Sequence, residues 1–132
     1  MNKIVALISM FILLGGVLIF HLLIITQQIP YNKVWAGRLK SVEEMLTFET
    51  VSILINVIML SVLIIKYRLL KRDKSNRVID ILIWVFVAIF ILNTIGNLFS
   101  KSTQELIFGT LLTLTSAILC FIIVKKNTVK LP

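Results

Sequence analysis

The sequence predicts an all-α fold, a transmembrane four-helix bundle in which residues 1–132 form a single domain. Of the 132 residues, 58% are hydrophobic and 15% are charged, and the mean hydropathy is +1.02. Soluble domains are about 45–50% apolar and about 25% charged, and a soluble chain this short cannot bury the excess in one core. Four apolar runs, each long enough to cross a bilayer, supply the helices.

The four predicted helices cover residues 4–26, 41–65, 78–99 and 105–124. The first run, Ile4–Thr26, has 23 residues without a formal charge, and at 1.5 Å per residue it exceeds the roughly 30 Å hydrocarbon layer. It is also longer than the apolar stretch of a cleaved signal peptide, which is about 7–15 residues. Within it, Gly15-Gly16 indicates close helix packing. Ser41-Val42-Glu43-Glu44 has the spacing of a capping box and predicts a capped start for helix 2.

Lys and Arg are distributed unequally between the two sides of the predicted bundle. If the N-terminus is cytoplasmic, ten of them lie inside and four lie outside. This bias predicts that both termini face the cytoplasm. It also explains the net charge of +8 better than nucleic-acid binding, which requires a folded basic face. The inside residues are Lys3, Lys66, Arg68, Lys71, Arg72, Lys74, Arg77, Lys125, Lys126 and Lys130. The loop Lys66–Arg77 is expected to contact anionic lipid.

Most strongly polar residues within the predicted helices lie towards the outer surface. Glu49 and Asn56 share one face of helix 2, and Asn93 and Asn97 share one face of helix 3. Polar groups are costly inside a membrane, so each needs a partner or a purpose. One interpretation is interhelical hydrogen bonding, with Glu49 paired to Arg38 or to an asparagine.

The other interpretation is a polar pocket that opens to the outside, with Glu49 at its charged centre. Its ligand-binding candidates are Glu49, Asn56, Asn93, Asn97, Arg38, Trp35 and Glu105. Trp35 and Arg38 belong to the short outer loop between helices 1 and 2. Trp35 there suits either the aromatic belt at the membrane interface or a lid over the pocket, in which Gly37 permits a bend and Arg38 faces a carboxylate.

The sequence predicts no cofactor, no metal site and no catalytic residues. His21, Glu49 and Glu105 are weak metal candidates, because imidazole and carboxylates suit several divalent cations, but the chain has one His and no paired His spacing. The single cysteine, Cys120, excludes an intrachain disulfide framework. No serine has an obvious His and acid partner, and the sequence has no GxSxG motif.

Three segments carry a resemblance to known proteins: Val34–Leu39, Glu44–Glu49 and Leu92–Leu98. In these segments the chain resembles a group of small, functionally uncharacterised bacterial membrane proteins with four helices. The resemblance extends over nearly the whole chain. It implies a bacterial cytoplasmic (inner) membrane, and it brings no activity and no site residues with it.

Two functions from different classes remain open. The first is binding or transport of a small ion or polar solute that enters from outside towards Glu49. Four short helices enclose little volume, so a transport path is expected to need a homo-oligomer. The second is a non-catalytic accessory or assembly subunit that holds another membrane protein. A membrane enzyme acting on lipid is the third and weakest possibility.

Overall fold

The computed structural model describes residues 1–127, and in that range the chain is all α-helical, with no strand. The helices are α1 (Lys3–Ile25), α2 (Val42–Lys71), α3 (Arg77–Leu98) and α4 (Thr110–Val124). A π-helical segment, Glu105–Gly109, leads directly into α4. Each of the four helices, with that segment counted in the last, is long and apolar enough to cross a membrane. Lys130, which the charge distribution includes, lies outside the described residues.

Side-chain caps set the start of three helices. Asn2 accepts from the backbone N–H of Ile4, and Asn76 accepts from two N–H groups at the start of α3. Ser41 accepts from the backbone N–H of Glu44 at 3.1 Å, as the capping box predicts. The Glu44 carboxylate accepts from the N–H of Lys40 at 2.8 Å rather than from that of Ser41. The reciprocal bond is thus displaced by one residue, and the charge still lies at the positive end of the helix dipole.

The four helices pack in a ring, in which each helix packs against two others. Helix α1 packs against α2 and α4, and α3 packs against α4 and α2, with the closest packing between α3 and α4. Buried side chains repeat at spacings of three and four residues, which is the pattern of antiparallel bundles. Gly15 and Gly16 do not mediate close packing as predicted, because no described side chain lies within 4 Å of a Cβ built at either position.

The outside of the bundle is strongly apolar. Between 17% and 33% of the residues in the four spanning windows are buried inside the protein. Large side chains such as Ile12, Leu54, Leu92 and Phe108 are exposed. An apolar surface of this extent is suited to lipid rather than to water.

Helix α2 is longer than predicted, and the basic segment 66–77 is mostly not a loop. The helix continues to Lys71, and the connection to α3 consists of residues 72–76. Basic side chains stabilise the C-terminal end of a helix through its dipole, and their long apolar stems allow them to extend a spanning helix to the water interface. We call the end of the bundle with residues 1–2, 72–76 and 125–127 the terminal end, and the opposite end the loop end.

The connection from α1 to α2, residues 26–41, folds over the loop end. It forms two short 3-10 turns, Tyr31–Lys33 and Trp35–Gly37. A small apolar cluster holds it against the helices, with Val34 and Leu39 of the connection packed with Ile24 of α1 and Met45 of α2. The connection is therefore a folded cap and not an extended linker.

Candidate functional site

Glu49 is the most deeply buried charged side chain in the described residues, with 0% of its surface exposed. Both oxygens of its carboxylate are engaged. Oε2 lies 2.6 Å from Nδ1 of His21, and Oε1 accepts a hydrogen bond from Nε1 of Trp35 at 2.7 Å. A buried carboxylate is costly unless it is paired and hydrogen-bonded, and these two contacts provide that compensation. We call these three residues the Glu49 centre.

The α1–α2 hairpin explains why His21 and Glu49 meet. His21 lies four residues before the end of α1, and Glu49 lies seven residues after the start of α2. Antiparallel neighbours place such positions at similar depths below the loop end. The sequence analysis groups His21 with Glu49 and Glu105 as weak metal candidates and does not predict the direct contact with Glu49, although the distance of His21 from the helix end indicates it.

Trp35 contacts Glu49 from the connection at the loop end, and its backbone is strained. Its φ angle is +55°, a left-handed conformation that is a genuine outlier for a bulky residue and costs about 1–2 kcal/mol. Gly37, at φ +70°, takes the same region without that cost. The indole also packs against Phe48, with ring centroids 5.2 Å apart. Backbone strain of this kind persists only where surrounding contacts hold it, and it is concentrated at functional sites.

The partners expected for Glu49, Arg38 or an asparagine, are not the ones that the structure shows. Arg38 is exposed, so the expected pairing of Glu49 with Arg38 or with an asparagine is wrong. The carboxylate instead accepts a hydrogen bond from the indole of Trp35 and shares one with the imidazole of His21. The reason is geometric, since the two 3-10 turns direct residue 35 inward and leave residue 38 on the outer surface.

Asn56 lies on the same face of α2 as Glu49, about 10 Å further along the helix axis by helical rise. It is 8% exposed. Its Nδ2 donates to the backbone carbonyl of Ser52 at 2.9 Å, and its Oδ1 is buried without a hydrogen-bond partner. A buried acceptor of this kind is uncommon and calls for a donor.

Asn97 belongs to a second polar group, between α3 and α4. Its Nδ2 lies 3.4 Å from Oγ1 of Thr113, and Thr94 donates to the same hydroxyl at 2.9 Å. A Cβ built on Gly109 would come within 3.0 Å of the Asn97 side chain, so the glycine provides the space for that amide. Asn93, one turn away, is exposed.

Glu105 is half-buried and accepts a hydrogen bond from the Ser100 hydroxyl at 2.7 Å. Among residues 1–127, no group of three His, Cys, Asp or Glu side chains is placed to hold a metal ion. Of the three weak metal candidates, the structure brings together His21 and Glu49. It does not gather all three into one ligand set.

A partly buried ion pair lies at the terminal end, between α2 and α3. Nζ of Lys66 lies 2.6 Å from Oδ1 of Asp80, and the Lys66 side chain is only 4% exposed. Sequence reasoning placed Lys66 among residues that contact lipid and did not predict this pair. The positions of the two residues indicate this pair, because both lie close to the connection between α2 and α3. Lys66 precedes the end of α2 by five residues, and Asp80 follows the start of α3 by three.

Two open clefts lie at the two ends of the bundle, and each is about 330 Å³. The terminal-end cleft is lined by Met1, Asn2, Lys3, Ile4, Leu70, Lys125 and Asn127. The loop-end cleft is lined by Asn32, Lys33, Gly37, Lys101, Ser102 and Gln104. Neither reaches the Glu49 centre, which is closed in this conformation.

Comparison with known proteins gives no relative: no protein-family model, curated protein or solved structure matches this chain. The functional interpretation therefore depends on the site itself.

Proposed function

We propose that this protein binds or transports a small ion or polar solute at the Glu49 centre, reached from the loop end and operating in a homo-oligomer. The observation that carries the proposal is the fully buried carboxylate held by a residue of the overlying connection. A charged group inside a spanning segment is a functional candidate by default. If Glu49 served only to join helices, it would not need a hydrogen bond from Trp35, which lies outside the helices and has a strained backbone.

The connection supports a lid role for Trp35. Its indole covers Glu49, yet 38% of the residue's surface remains exposed, so the contact lies at the boundary between the buried centre and the surroundings. Displacement of this one side chain frees one carboxylate oxygen without any change in helix packing. The closed centre then becomes accessible from the loop end.

A stability experiment with matched variants tests the proposal. Glu49→Gln removes the buried carboxylate, and Glu43→Gln makes the same chemical change at an exposed position of the same helix. The detergent-solubilised proteins are unfolded by heat at several pH values, and at constant ionic strength in alkali cations, ammonium or methylammonium. A ligand at about 100 times its Kd stabilises a folded protein by about 2.7 kcal/mol.

We expect at least one of these probes, protons included, to change the unfolding temperature of the wild type and Glu43→Gln by more than that of Glu49→Gln, since the remaining titratable groups are common to all three proteins. Equal responses in all three proteins would contradict the proposal and leave Glu49 as a helix-joining residue.

We further propose that both termini face the cytoplasm of a bacterial cell, with the loop end outside the cytoplasmic membrane. The unequal distribution of Lys and Arg supports this orientation. Cysteine labelling tests it, because the native Cys120 is buried. A membrane-impermeant maleimide should modify Lys33→Cys in intact cells and Lys74→Cys only after permeabilisation. The reverse pattern would contradict the orientation.

A specific observation favours the accessory-subunit alternative. Asn93 exposes an amide on the outside of α3, and an amide facing lipid lacks the hydrogen bonds that another membrane helix would supply. Either a second copy of this chain or a different membrane protein meets that need. Co-purification of a stoichiometric, different membrane protein would favour the accessory role, and loss of that protein in Asn93→Leu would locate the contact.

A further inference from the structure

We infer that the small ion taken up at the Glu49 centre is a proton, and that its uptake releases the Trp35 indole from the carboxylate. The inference rests on the proposed function, since it names the ion and the movement that accompanies its binding at the same site. It depends on the geometry of three side chains and on the number of hydrogen-bond donors and acceptors that each supplies.

Both carboxylate oxygens of Glu49 already face nitrogen atoms, at 2.6 Å from His21 and 2.7 Å from Trp35. A metal cation would have to displace both contacts and would find no third acidic or His ligand among residues 1–127. A proton needs no coordination shell and requires no displacement before it arrives. The two contacts therefore favour the proton over a larger cation.

The first proton of the pair fits the closed structure. It lies in the 2.6 Å contact between Nδ1 of His21 and Oε2 of Glu49. If it is on nitrogen, the imidazole donates to the carboxylate; if it is on oxygen, the carboxyl group donates to the imidazole. In both cases Oε1 remains free to accept from Trp35. The closed centre therefore tolerates one shared proton.

A second proton does not fit. In the closed state Nε2 of His21 also carries an N–H, so when a hydronium ion transfers a further proton and leaves as water, both ring nitrogens carry N–H groups and Glu49 carries an O–H. The new O–H bond forms on an oxygen that already faces an N–H donor, at a position with no exposed surface. A buried donor without an acceptor is strongly disfavoured. The centre relieves this conflict by opening one of its two contacts.

The Trp35 contact is the one that opens. His21 is fixed on α1, whereas Trp35 lies on a short connection and holds a left-handed backbone at φ +55°. Release of the indole relieves that strain and frees an oxygen for water. Proton uptake and lid opening are thereby coupled through a single hydrogen bond.

The other titratable groups at the loop end are less buried than Glu49. The described ones that share this end are Tyr31, Lys33, Arg38, Lys40, Glu43, Glu44, Lys101 and Glu105, all exposed or half-buried. From α3 and α4, the side chains that form the polar group at this depth are neutral: Thr94, Asn97 and Thr113. His21 is the only histidine in the chain, so its ring signals report this site without overlap.

The test is a pH titration of ¹⁵N-tryptophan-labelled protein in lipid nanodiscs, from about pH 8 to about pH 4, a range that spans the ordinary titration of His and Glu. The chain has two tryptophans, and Trp84→Phe identifies the indole signal of Trp35. We expect this signal to move from a carboxylate-bound to an unbound position as the pH falls, with the closed-to-open ratio decreasing at least tenfold. Glu43→Gln should retain the transition, and Glu49→Gln should abolish the pH dependence.

An indole signal that does not change over this range in the folded wild type would overturn the inference, as would an identical transition in Glu49→Gln. If Glu49→Gln does not fold, infrared spectroscopy of the wild type replaces it. The carbonyl stretch of protonated Glu49, assigned with ¹³C-labelled glutamate, must then appear over the same pH interval as the release of Trp35, and a separate interval would overturn the coupling.

The two proposals fail in different ways. A Glu49-dependent response to alkali cations or methylammonium, combined with an unchanging Trp35 signal, would overturn the proton inference and keep the proposed function. No Glu49-dependent response to any probe, protons included, would overturn both.

Discussion

The hydrogen bond from Trp35 to Glu49 can be removed with little other change, by Trp35→Phe. Phenylalanine retains an aromatic ring against Phe48, whose centroid lies 5.2 Å from that of Trp35. It loses the N–H that donates to Oε1 at 2.7 Å, together with part of the apolar ring surface. Hydrogen bonds to charged groups contribute about 1.5–3 kcal/mol. Since each 1.4 kcal/mol is a factor of ten, the opening equilibrium of the connection should shift by about 10- to 150-fold.

Hydrogen–deuterium exchange followed by mass spectrometry measures that shift in lipid nanodiscs. Backbone N–H groups of the connection make local bonds, such as Gly37 to Val34 and Arg38 to Trp35 at 3.0 Å, and their exchange reports its opening. Peptides that cover residues 30–40 should exchange about 10 to 150 times faster in Trp35→Phe, as estimated from the loss of one such bond. Peptides from α3 and α4 should be unaffected.

Trp84→Phe is the matched control, because Trp84 lies on α3, where its ring packs against Phe121. It makes the same chemical change away from the connection. Unchanged exchange of residues 30–40 in Trp35→Phe would refute the reasoning, as would the same acceleration in both variants. Either result would mean that the apolar cluster beneath the connection, and not the indole N–H, keeps it closed.

Two further predictions concern packing and charge elsewhere in the bundle. Asp80→Asn removes the negative charge beside the buried Lys66 ammonium and should lower the free energy of unfolding by about 3 kcal/mol. Replacement of both residues by apolar ones should recover most of this loss. A double variant as unstable as Asp80→Asn would contradict this reasoning. Gly109→Ala places a Cβ about 3.0 Å from Asn97 and should cost about 1–3 kcal/mol, whereas Gly15→Ala, with open space around it, should cost nothing. Thermal unfolding in detergent followed by circular dichroism measures both, and a greater loss for Gly15→Ala would refute the packing argument.

The number and type of the helices follow from the sequence because apolar runs of this length have few alternatives. Lipid cannot satisfy backbone polar groups, so each run becomes a helix. The cap at Ser41 was also predictable, since its hydrogen bond depends on residues three positions apart. The end of α2 at Lys71 was not predictable from hydropathy, because basic residues end an apolar run without ending the helix.

The candidate site was predictable only in part. Sequence reasoning selected Glu49 from the cost of its charge and considered Trp35 as a lid, and the structure joins these two residues by a hydrogen bond. It did not find the partner His21, because partners across helices depend on depth and rotation that spacing along one helix cannot give. The separation of Asn97 from Glu49 into another polar group has the same origin, since the predicted pocket assumed that residues at one depth converge.

The central functional claim is that this chain alone carries the functional site. Native mass spectrometry of the protein extracted gently from its own membrane tests this claim most directly, because it reports subunit number and retained partners together. We predict a homo-oligomer of this chain. A one-to-one complex with a different membrane protein would contradict that claim, and it would identify the Glu49 centre as a structural element of an accessory subunit.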